Sequence, residues 1–161
     1  MDFIVDKQNN KVKVTREFAA PLSKVWAAWT QSELLDQWWA PKPWKARTKT
    51  MDFRNGGHWL YVMVGPEGED PWCHADFKSV SPMKSFNAVS AFCDQNGNIK
   101  TDFPIATWHC EFSEASNKTT VNIEIKFEAL ADLEKYIEMG FKEGFTMALC
   151  NLDELLISVK M

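Results

Sequence analysis

Residues 119–156 read TTVNIEIKFEALADLEKYIEMGFKEGFTMALCNLDELL, and this stretch decides the fold. Its first ten residues alternate apolar and polar side chains, a period of two that predicts a strand with one buried face. From residue 132 onward, apolar residues recur every three or four positions, which predicts an amphipathic helix that packs on the sheet. The apolar positions of this helix are Leu133, Ile137, Phe141, Phe145, Leu149, Leu152, Leu156 and, just past the quoted stretch, Val159.

The predicted terminal helix begins at Asp132, whose carboxylate is a suitable N-cap. At 1.5 Å per residue, its roughly 27 residues span about 40 Å, enough to cross a whole sheet. Gly140 and Gly144 fall inside the helix, where each costs about 1 kcal/mol relative to alanine. We therefore expect both glycines to mark places where another group approaches the helix closely.

Upstream of residue 119 the chain predicts further antiparallel strands separated by turn residues. The dipeptide Asn55–Gly56 favours a two-residue hairpin because both residues tolerate positive φ angles. Together with the first and last strands, these segments predict a sheet of about six to seven strands. The predicted strands are 44–53 and 58–65, which form the hairpin, followed by 73–80, 85–93 and 105–112.

The N-terminal part predicts one strand followed by two short helices. Residues 11–18 alternate in the manner of a half-buried strand, and Pro21 is well placed to open a helix. Thr30 and Glu33 have the spacing of a capping box, which predicts that a second helix starts there. The chain is therefore predicted to be one α+β domain over residues 1–161. Its curved antiparallel sheet wraps on the C-terminal helix and leaves a cavity between them.

Composition excludes several functional classes. The chain has 22 acidic and 18 basic residues, a formal net charge of −4, and no Lys/Arg run longer than two, so no nucleic acid is expected as a partner. It has neither a basic, apolar leader nor 18 consecutive apolar residues, which predicts a cytoplasmic protein without a membrane partner. The cysteines lack CxxC spacing and are expected to be free thiols: Cys73, Cys93, Cys110 and Cys150.

The hairpin register predicts which side chains face the helix. One face of the hairpin carries Arg47 and Lys49, which require water, so the opposite face is predicted to be interior. Apolar groups with a few hydroxyls are typical of a small-molecule pocket, although solid core packing is the alternative. The predicted cross-strand pairs on the interior face are Asp52–Trp59, Thr50–Tyr61 and Thr48–Met63.

Side chains from a later strand and from the terminal helix are predicted to complete the pocket. Trp38 and Trp39 are adjacent, so we expect at most one of them to face the core. Arg16 lies on the apolar face of the first strand, where an ion pair with a buried acid is its expected role and binding of a ligand carboxylate is the alternative. The predicted ligand-binding residues are Trp59, Tyr61, Met63, Trp108, Phe141 and Phe145.

Neither a metal site, a cofactor nor a catalytic residue is predicted. In the pairs Cys73–His74 and His109–Cys110, neighbouring strand residues point to opposite faces, so each pair offers one ligand to a given site and the two pairs together offer two where four are usual. No nucleophile signature accompanies the histidines. One catalytic alternative remains open, in which His74 and Asp76 share a strand face and act as an imidazole–carboxylate pair.

A set of short segments spread over most of the chain occurs in the order of a known family. The segments are 16–18, 20–21, 25–26, 29–30, 38–41, 52–57, 65–66, 144–145, 149, 152 and 155–156. They resemble the activator of heat-shock protein 90 ATPase homologue-like domains of the START/birch-allergen-like (SRPBCC) superfamily. That resemblance implies the helix-grip fold and a cavity for a small hydrophobic or amphipathic molecule, without a universal catalytic residue. The eukaryotic activator has a separate N-terminal domain, which we do not expect here because the chain starts close to its first predicted strand.

Three functional hypotheses follow from these residues and from the resemblance. The first is non-catalytic binding of a small apolar or amphipathic ligand in the cavity. The second, which the resemblance implies, is interaction with a chaperone of the kind that the heat-shock protein 90 ATPase activator binds, with a role in stress response. The third is a cyclase- or hydrolase-like enzyme that uses the same cavity. The sequence leaves the ligand, the pathway and homodimer formation open.

Overall fold

The computed structural model describes residues 1–158 and has an α+β architecture. One antiparallel sheet has the strand order β1-β2-β8-β7-β6-β5-β4-β3, and four helices pack with it. The predicted fold class is confirmed, while Val159 lies outside the described residues. The elements are β1 Asp2–Asp6, β2 Lys11–Phe18, α1 Leu22–Thr30, α2 Ser32–Trp38, β3 Lys45–Met51, β4 His58–Val64, β5 Trp72–Ser81, β6 Ser85–Cys93, β7 Ala106–Ala115, β8 Lys118–Lys126, α3 Leu130–Glu138 and α4 Phe141–Ser158.

The sheet has eight strands within residues 1–158, rather than six to seven. The additional strand is β1, which pairs antiparallel with β2 along its whole length. Its sequence DFIVD has acidic ends and a short apolar centre, a pattern too brief to predict a strand by itself. The segment forms a strand because pairing with β2 supplies hydrogen bonds for its backbone.

The C-terminal helical region is two helices instead of one. Gly140 has φ +88°, in the left-handed region, and its N–H donates to the carbonyl of Ile137 at 3.0 Å, so α3 ends here and α4 restarts at Phe141. A Cβ at Gly140 would meet nothing within 4 Å, so the close approach predicted for this glycine is wrong. The N-cap of α3 is Ala129, which corrects the prediction of Asp132.

The predicted capping box at the start of α2 is also wrong. Thr30 is the last residue of α1, where its hydroxyl donates 2.8 Å to the carbonyl of Trp26. Because its hydroxyl is bonded within α1, Thr30 does not cap α2. The N-cap of α2 is Gln31, which makes no side-chain capping bond.

The β3–β4 hairpin has a longer loop and a different register from the predicted one. Residues 52–57 connect the strands, and the N–H of Gly56 donates 2.9 Å to the carbonyl of Phe77 in β5. A bulge between Thr48 and Thr50 shifts the pairing further, so the three predicted pairs are wrong. The observed pairs are Met51–Trp59, Thr50–Leu60, Thr48–Tyr61 and Ala46–Met63.

The hydrophobic core fills the space between one face of the sheet and helices α1, α2 and α4. The interior face of β8 is almost fully buried, with Val121 and Ile125 at 0% exposure, and so are Leu149 and Leu152 of α4. This pattern places the core where the alternation of β8 and the helical periodicity of α4 predict it. Full burial of such aliphatic side chains contributes roughly 1.5–3 kcal/mol each.

Arg16 forms the ion pair predicted for it, although its partner is not a buried acid. The guanidinium of Arg16 in β2 donates to the carboxylate of Asp153 in α4. The side chain of Asp153 is 40% exposed, against 18% for Arg16. The pair therefore joins α4 to the sheet at the border between core and solvent.

Candidate ligand-binding cavity

A cavity of about 210 Å³ lies between the sheet and the junction of α3 with α4. Strands β4, β5, β6 and β7 form one wall, and the break at Gly140 forms part of the other. Met139, which is 47% exposed, lies at its edge. Every described lining residue is uncharged: Trp39, Pro41, Tyr61, Met63, Pro71, Cys73, Ser90, Ala91, Phe92, Pro104, Trp108, Tyr136, Met139, Gly140, Phe141, Gly144 and Phe145.

Five of the six predicted ligand-binding residues border this cavity. The exception is Trp59, which lies deeper and borders a second cavity of about 40 Å³. Trp59 stays on the interior face, where its indole N–H donates 2.9 Å to the hydroxyl of Thr48 in β3. The five residues that border the larger cavity are Tyr61, Met63, Trp108, Phe141 and Phe145.

Trp39 is a wall residue that was not among the six predicted ligand-binding residues. Its indole N–H donates a 2.9 Å hydrogen bond to the phenolic oxygen of Tyr61. Its ring lies 5.5 Å from that of Trp59 and 5.7 Å from that of Trp108. Trp39 thus joins the end of α2 to the sheet at the boundary between the two cavities.

Trp38 and Trp39 differ in burial, in keeping with the expectation that at most one of them faces the core. Trp38 is fully buried and donates 2.8 Å to the carbonyl of Ala28 in α1. Trp39 is half-buried, packs against the edge of the core and borders the cavity.

The polar groups of the wall are neutral at physiological pH. Burial raises the pKa of the Tyr61 hydroxyl well above its usual range and raises that of the Cys73 thiol to about 12. Burial likewise raises the pKa of the Tyr136 hydroxyl. Tyr61 and Cys73 are direct cross-strand partners on β4 and β5. The wall therefore presents hydroxyl and thiol groups that stay protonated.

Two buried indole N–H groups have no hydrogen-bond partner among residues 1–158: those of Trp29 and Trp108. Both tryptophans border the smaller cavity, and Trp108 borders the larger one too. Buried donors without a partner are rare, because each forfeits its hydration without replacement. The wall around the two cavities therefore holds more hydrogen-bond donors than the described residues satisfy.

The candidate catalytic pair lies away from the cavity. Cys73 and Ala75 face the cavities, so their neighbours His74 and Asp76 face the other side of the sheet. The His74 Nδ1 atom is 3.8 Å from the Asp76 carboxylate. Burial lowers the pKa of His74, and Asp76 opposes that shift. The enzyme hypothesis that placed this pair in the cavity is therefore wrong in its geometry.

Other potential ligands and reactive groups are scattered. Residues 1–158 contain no group of three or more metal-ligating side chains. His109 contacts Asn87 and Glu111 on the outer face of the sheet. All four cysteines are free, three of them buried and Cys150 exposed. Within the described part of the chain, no helix is long and apolar enough to cross a membrane.

A curved antiparallel sheet, a C-terminal helix across it and an apolar cavity between them define a helix-grip protein of the ligand-binding type. The chain belongs to the family described as "Activator of Hsp90 ATPase homolog 1-like protein", whose model matches residues 19–157. Its structure is thus that of an SRPBCC-like family member, as the sequence resemblance implied. No protein with curated annotation matches the chain.

Solved structures from three bacteria share this fold over nearly the whole chain. Protein Ms6760 from Mycobacterium smegmatis is 28% identical, with a TM-score of 0.91, covering 100% of this chain and 99% of that one. A protein from Arthrobacter aurescens is 26% identical, with a TM-score of 0.92 and coverages of 98% and 92%. Protein NE0264 from Nitrosomonas europaea is 30% identical, with a TM-score of 0.76 and coverages of 92% and 94%.

Proposed function

We propose that the chain acts as one ligand-binding domain that holds a small hydrophobic or amphipathic molecule, without catalysis, in the cavity between the sheet and α3–α4. The observation that carries this proposal is a volume of about 210 Å³ walled by aromatic and other uncharged side chains. An apolar cavity of about 150 Å³ is enough to bind benzene. Pockets for drug-sized ligands start at about 300 Å³. The ligand is therefore expected to be compact, of about one or two rings or a short chain.

The proposal is tested by binding of small apolar probes. Naphthalene and 2-ethylnaphthalene are titrated into the protein, with tryptophan fluorescence and the melting temperature as readouts. Trp39 and Trp108 line the cavity, so a bound ring quenches their emission. At about 100 times the dissociation constant, binding stabilises the protein by about 2.7 kcal/mol, a rise of roughly 5–10 °C in Tm.

A cavity-filling variant and a matched surface variant locate the binding. Met63→Trp places an indole in the cavity and is expected to abolish probe binding, measured by calorimetry. Thr107→Trp adds the same ring beside Trp108 at an exposed position and leaves binding unchanged. Flat titrations with both probes, or equal binding by both variants, contradict the proposal.

The family description supports a second candidate, interaction with a chaperone ATPase. It predicts that the purified chain raises the ATPase rate of an Hsp90-type chaperone. An unchanged ATPase rate of the chaperone at a saturating concentration of the chain excludes this candidate, provided that a known activator, as positive control, raises the rate. The result is independent of probe binding, so the two candidates are separable.

A further inference from the structure

The chemistry of the cavity wall restricts the ligand beyond its size. No described lining residue carries a charge, so an ionised ligand would lose its hydration without gaining an ionic partner. The wall is not purely apolar, however, because Tyr61, Cys73, Ser90 and Tyr136 bring hydroxyl and thiol groups to it. A ligand that complements this wall is neutral and has at least one polar atom.

Tyr61 is the most tightly held of these polar groups. Its side chain is 5% exposed, and its ring stacks on that of Trp59 at 3.9 Å between centroids. Its oxygen accepts the hydrogen bond of the Trp39 indole. The Tyr61 oxygen already accepts one hydrogen bond, and one face of the ring is covered by Trp59. The remaining interaction that Tyr61 can make with a ligand is therefore donation of its hydroxyl hydrogen.

The local partner for that hydrogen is weak. The Cys73 thiol lies directly across on β5 and interacts with the Tyr61 hydroxyl, but sulfur is a poor acceptor. Tyr136 lies close enough to Tyr61 that its charge raises the pKa of Tyr61, and the charge of Cys73 raises the pKa of Tyr136. Its own hydroxyl makes no hydrogen bond with any described residue, and α3 presents it to the same cavity. Two phenolic hydroxyls therefore belong to the wall of one cavity, and neither donates a hydrogen bond to an oxygen of the described chain.

The neighbouring tryptophan adds a buried donor without a partner. Trp108 is 6% exposed, borders both cavities and has an indole N–H without a partner in the described chain. This part of the wall therefore presents hydroxyl and indole donors to the cavity. An unpaired donor in an apolar environment stabilises any complex that supplies it with an acceptor.

We propose that the cavity selects neutral cyclic ligands that present an oxygen acceptor, such as a ketone, to the hydroxyls of Tyr61 and Tyr136. This inference rests on the proposed function and names the ligand class of that site. The apolar body of the ligand packs against Phe141 and Phe145, and its oxygen replaces the weak sulfur contact of Tyr61. Carboxylates of the same shape are rejected, because the wall has no cation to pair with them.

Three probes of one shape test the selection: 2-acetylnaphthalene, its hydrocarbon analogue 2-ethylnaphthalene and its anionic analogue 2-naphthoate. Calorimetry is expected to show the ketone binding roughly three- to tenfold more tightly than the hydrocarbon, as one net hydrogen bond provides. The anion is expected to bind at least about tenfold more weakly than the ketone. Equal affinities for ketone and hydrocarbon, or for ketone and anion, overturn the inference while leaving the proposed function standing. Failure of both the ketone and the hydrocarbon to bind overturns the proposed function instead.

Two variants assign the selection to named hydroxyls. Tyr61→Phe and Tyr136→Phe are each expected to reduce the ketone-to-hydrocarbon affinity ratio towards one. A purely structural effect weakens both probes and leaves the ratio unchanged, so the ratio separates recognition from stability. Should Tyr61→Phe not fold, Tyr136→Phe carries the test. Thr107→Val at the exposed outer face is the control and keeps the ratio of the unaltered chain. An unchanged ratio in every folded Tyr→Phe variant contradicts the assignment.

Discussion

The indole nitrogen of Trp39 lies 2.9 Å from the phenolic oxygen of Tyr61 and donates a hydrogen bond to it. This bond ties the end of α2 to β4 across the cavity wall. Tyr61→Phe removes the acceptor and leaves the Trp39 N–H unpaired, which is expected to lower the free energy of unfolding by about 1–3 kcal/mol. Urea denaturation of Tyr61→Phe, Trp39→Phe and the double variant measures the coupling. A coupling energy near zero would show that the bond contributes nothing to stability.

Two glycines four residues apart are expected to respond to alanine with opposite signs. Gly140 has φ +88°, so Gly140→Ala strains the backbone and lowers stability by about 1–2 kcal/mol. Gly144 lies inside α4, and an added Cβ would touch the Pro41 side chain at an ordinary 3.6 Å. Gly144→Ala is therefore expected to raise stability by about 0.5–1 kcal/mol. Thermal and urea unfolding check both, and changes of the same sign would refute the argument.

Thr48 links three elements through one hydroxyl. It donates 2.6 Å to the carboxylate of Asp36 in α2 and accepts 2.9 Å from the indole of Trp59 in β4. Thr48→Val keeps the shape but leaves the buried Trp59 N–H unpaired, an expected loss of about 1–3 kcal/mol. Thr50→Val, on the same strand but exposed, should change stability by less than about 0.5 kcal/mol. Equal unfolding midpoints for the two variants would count against the link.

Stability is expected to fall at alkaline pH because of the buried acids of the cavity wall. Burial raises the pKa of Cys73 from 9.0 to about 12, and it also raises the pKa values of Tyr61 and Tyr136. As pH rises, these groups lose their protons in the unfolded chain before they do so in the folded one. Their contribution to the free energy of unfolding is therefore fully present below about pH 9 and is lost as pH rises towards 12. Each such group contributes a slope of up to about 1.4 kcal/mol per pH unit. Urea midpoints measured between pH 8 and pH 11 give the total slope.

Cys73→Ala removes one titrating group and should make the alkaline loss of stability less steep. Cys150→Ala, at an exposed thiol, is the matched control and should leave the slope as it is. Identical slopes for the unaltered chain and Cys73→Ala would show that the thiol does not titrate differently on unfolding.

Much of the architecture could be predicted because it depends on periodicity. The alternation of Val121, Ile123 and Ile125 and the helical spacing of Leu149 and Leu152 report directly which side of each element is buried. The same reasoning predicted that Tyr61, Trp108 and Phe145 face the interior, where the structure places them. Where the prediction failed, the cause was not periodicity. Gly140 satisfies the helical spacing around it, and only its observed positive φ reveals the break.

The hairpin shows why the site was harder to predict than the fold. The turn was placed at Asn55–Gly56, but the loop extends over residues 52–57 because Gly56 bonds to Phe77 on β5. A contact with a third strand cannot be deduced from the turn dipeptide. Trp39 and Tyr136 were not predicted to bind the ligand for a related reason, since each reaches the cavity from the end of a helix and not from a strand face.

Sequence alone determined the α+β class, the antiparallel sheet, the amphipathic C-terminal region and the family resemblance, because each depends on residues near one another along the chain. Tertiary structure decided the hairpin register, the division into α3 and α4, the cavity of about 210 Å³ and the convergence of Tyr61 with Cys73 and Tyr136 in its wall. These features depend on groups distant in sequence. Their positions are set by the balance of packing and hydrogen bonding over the whole fold, which local patterns do not encode.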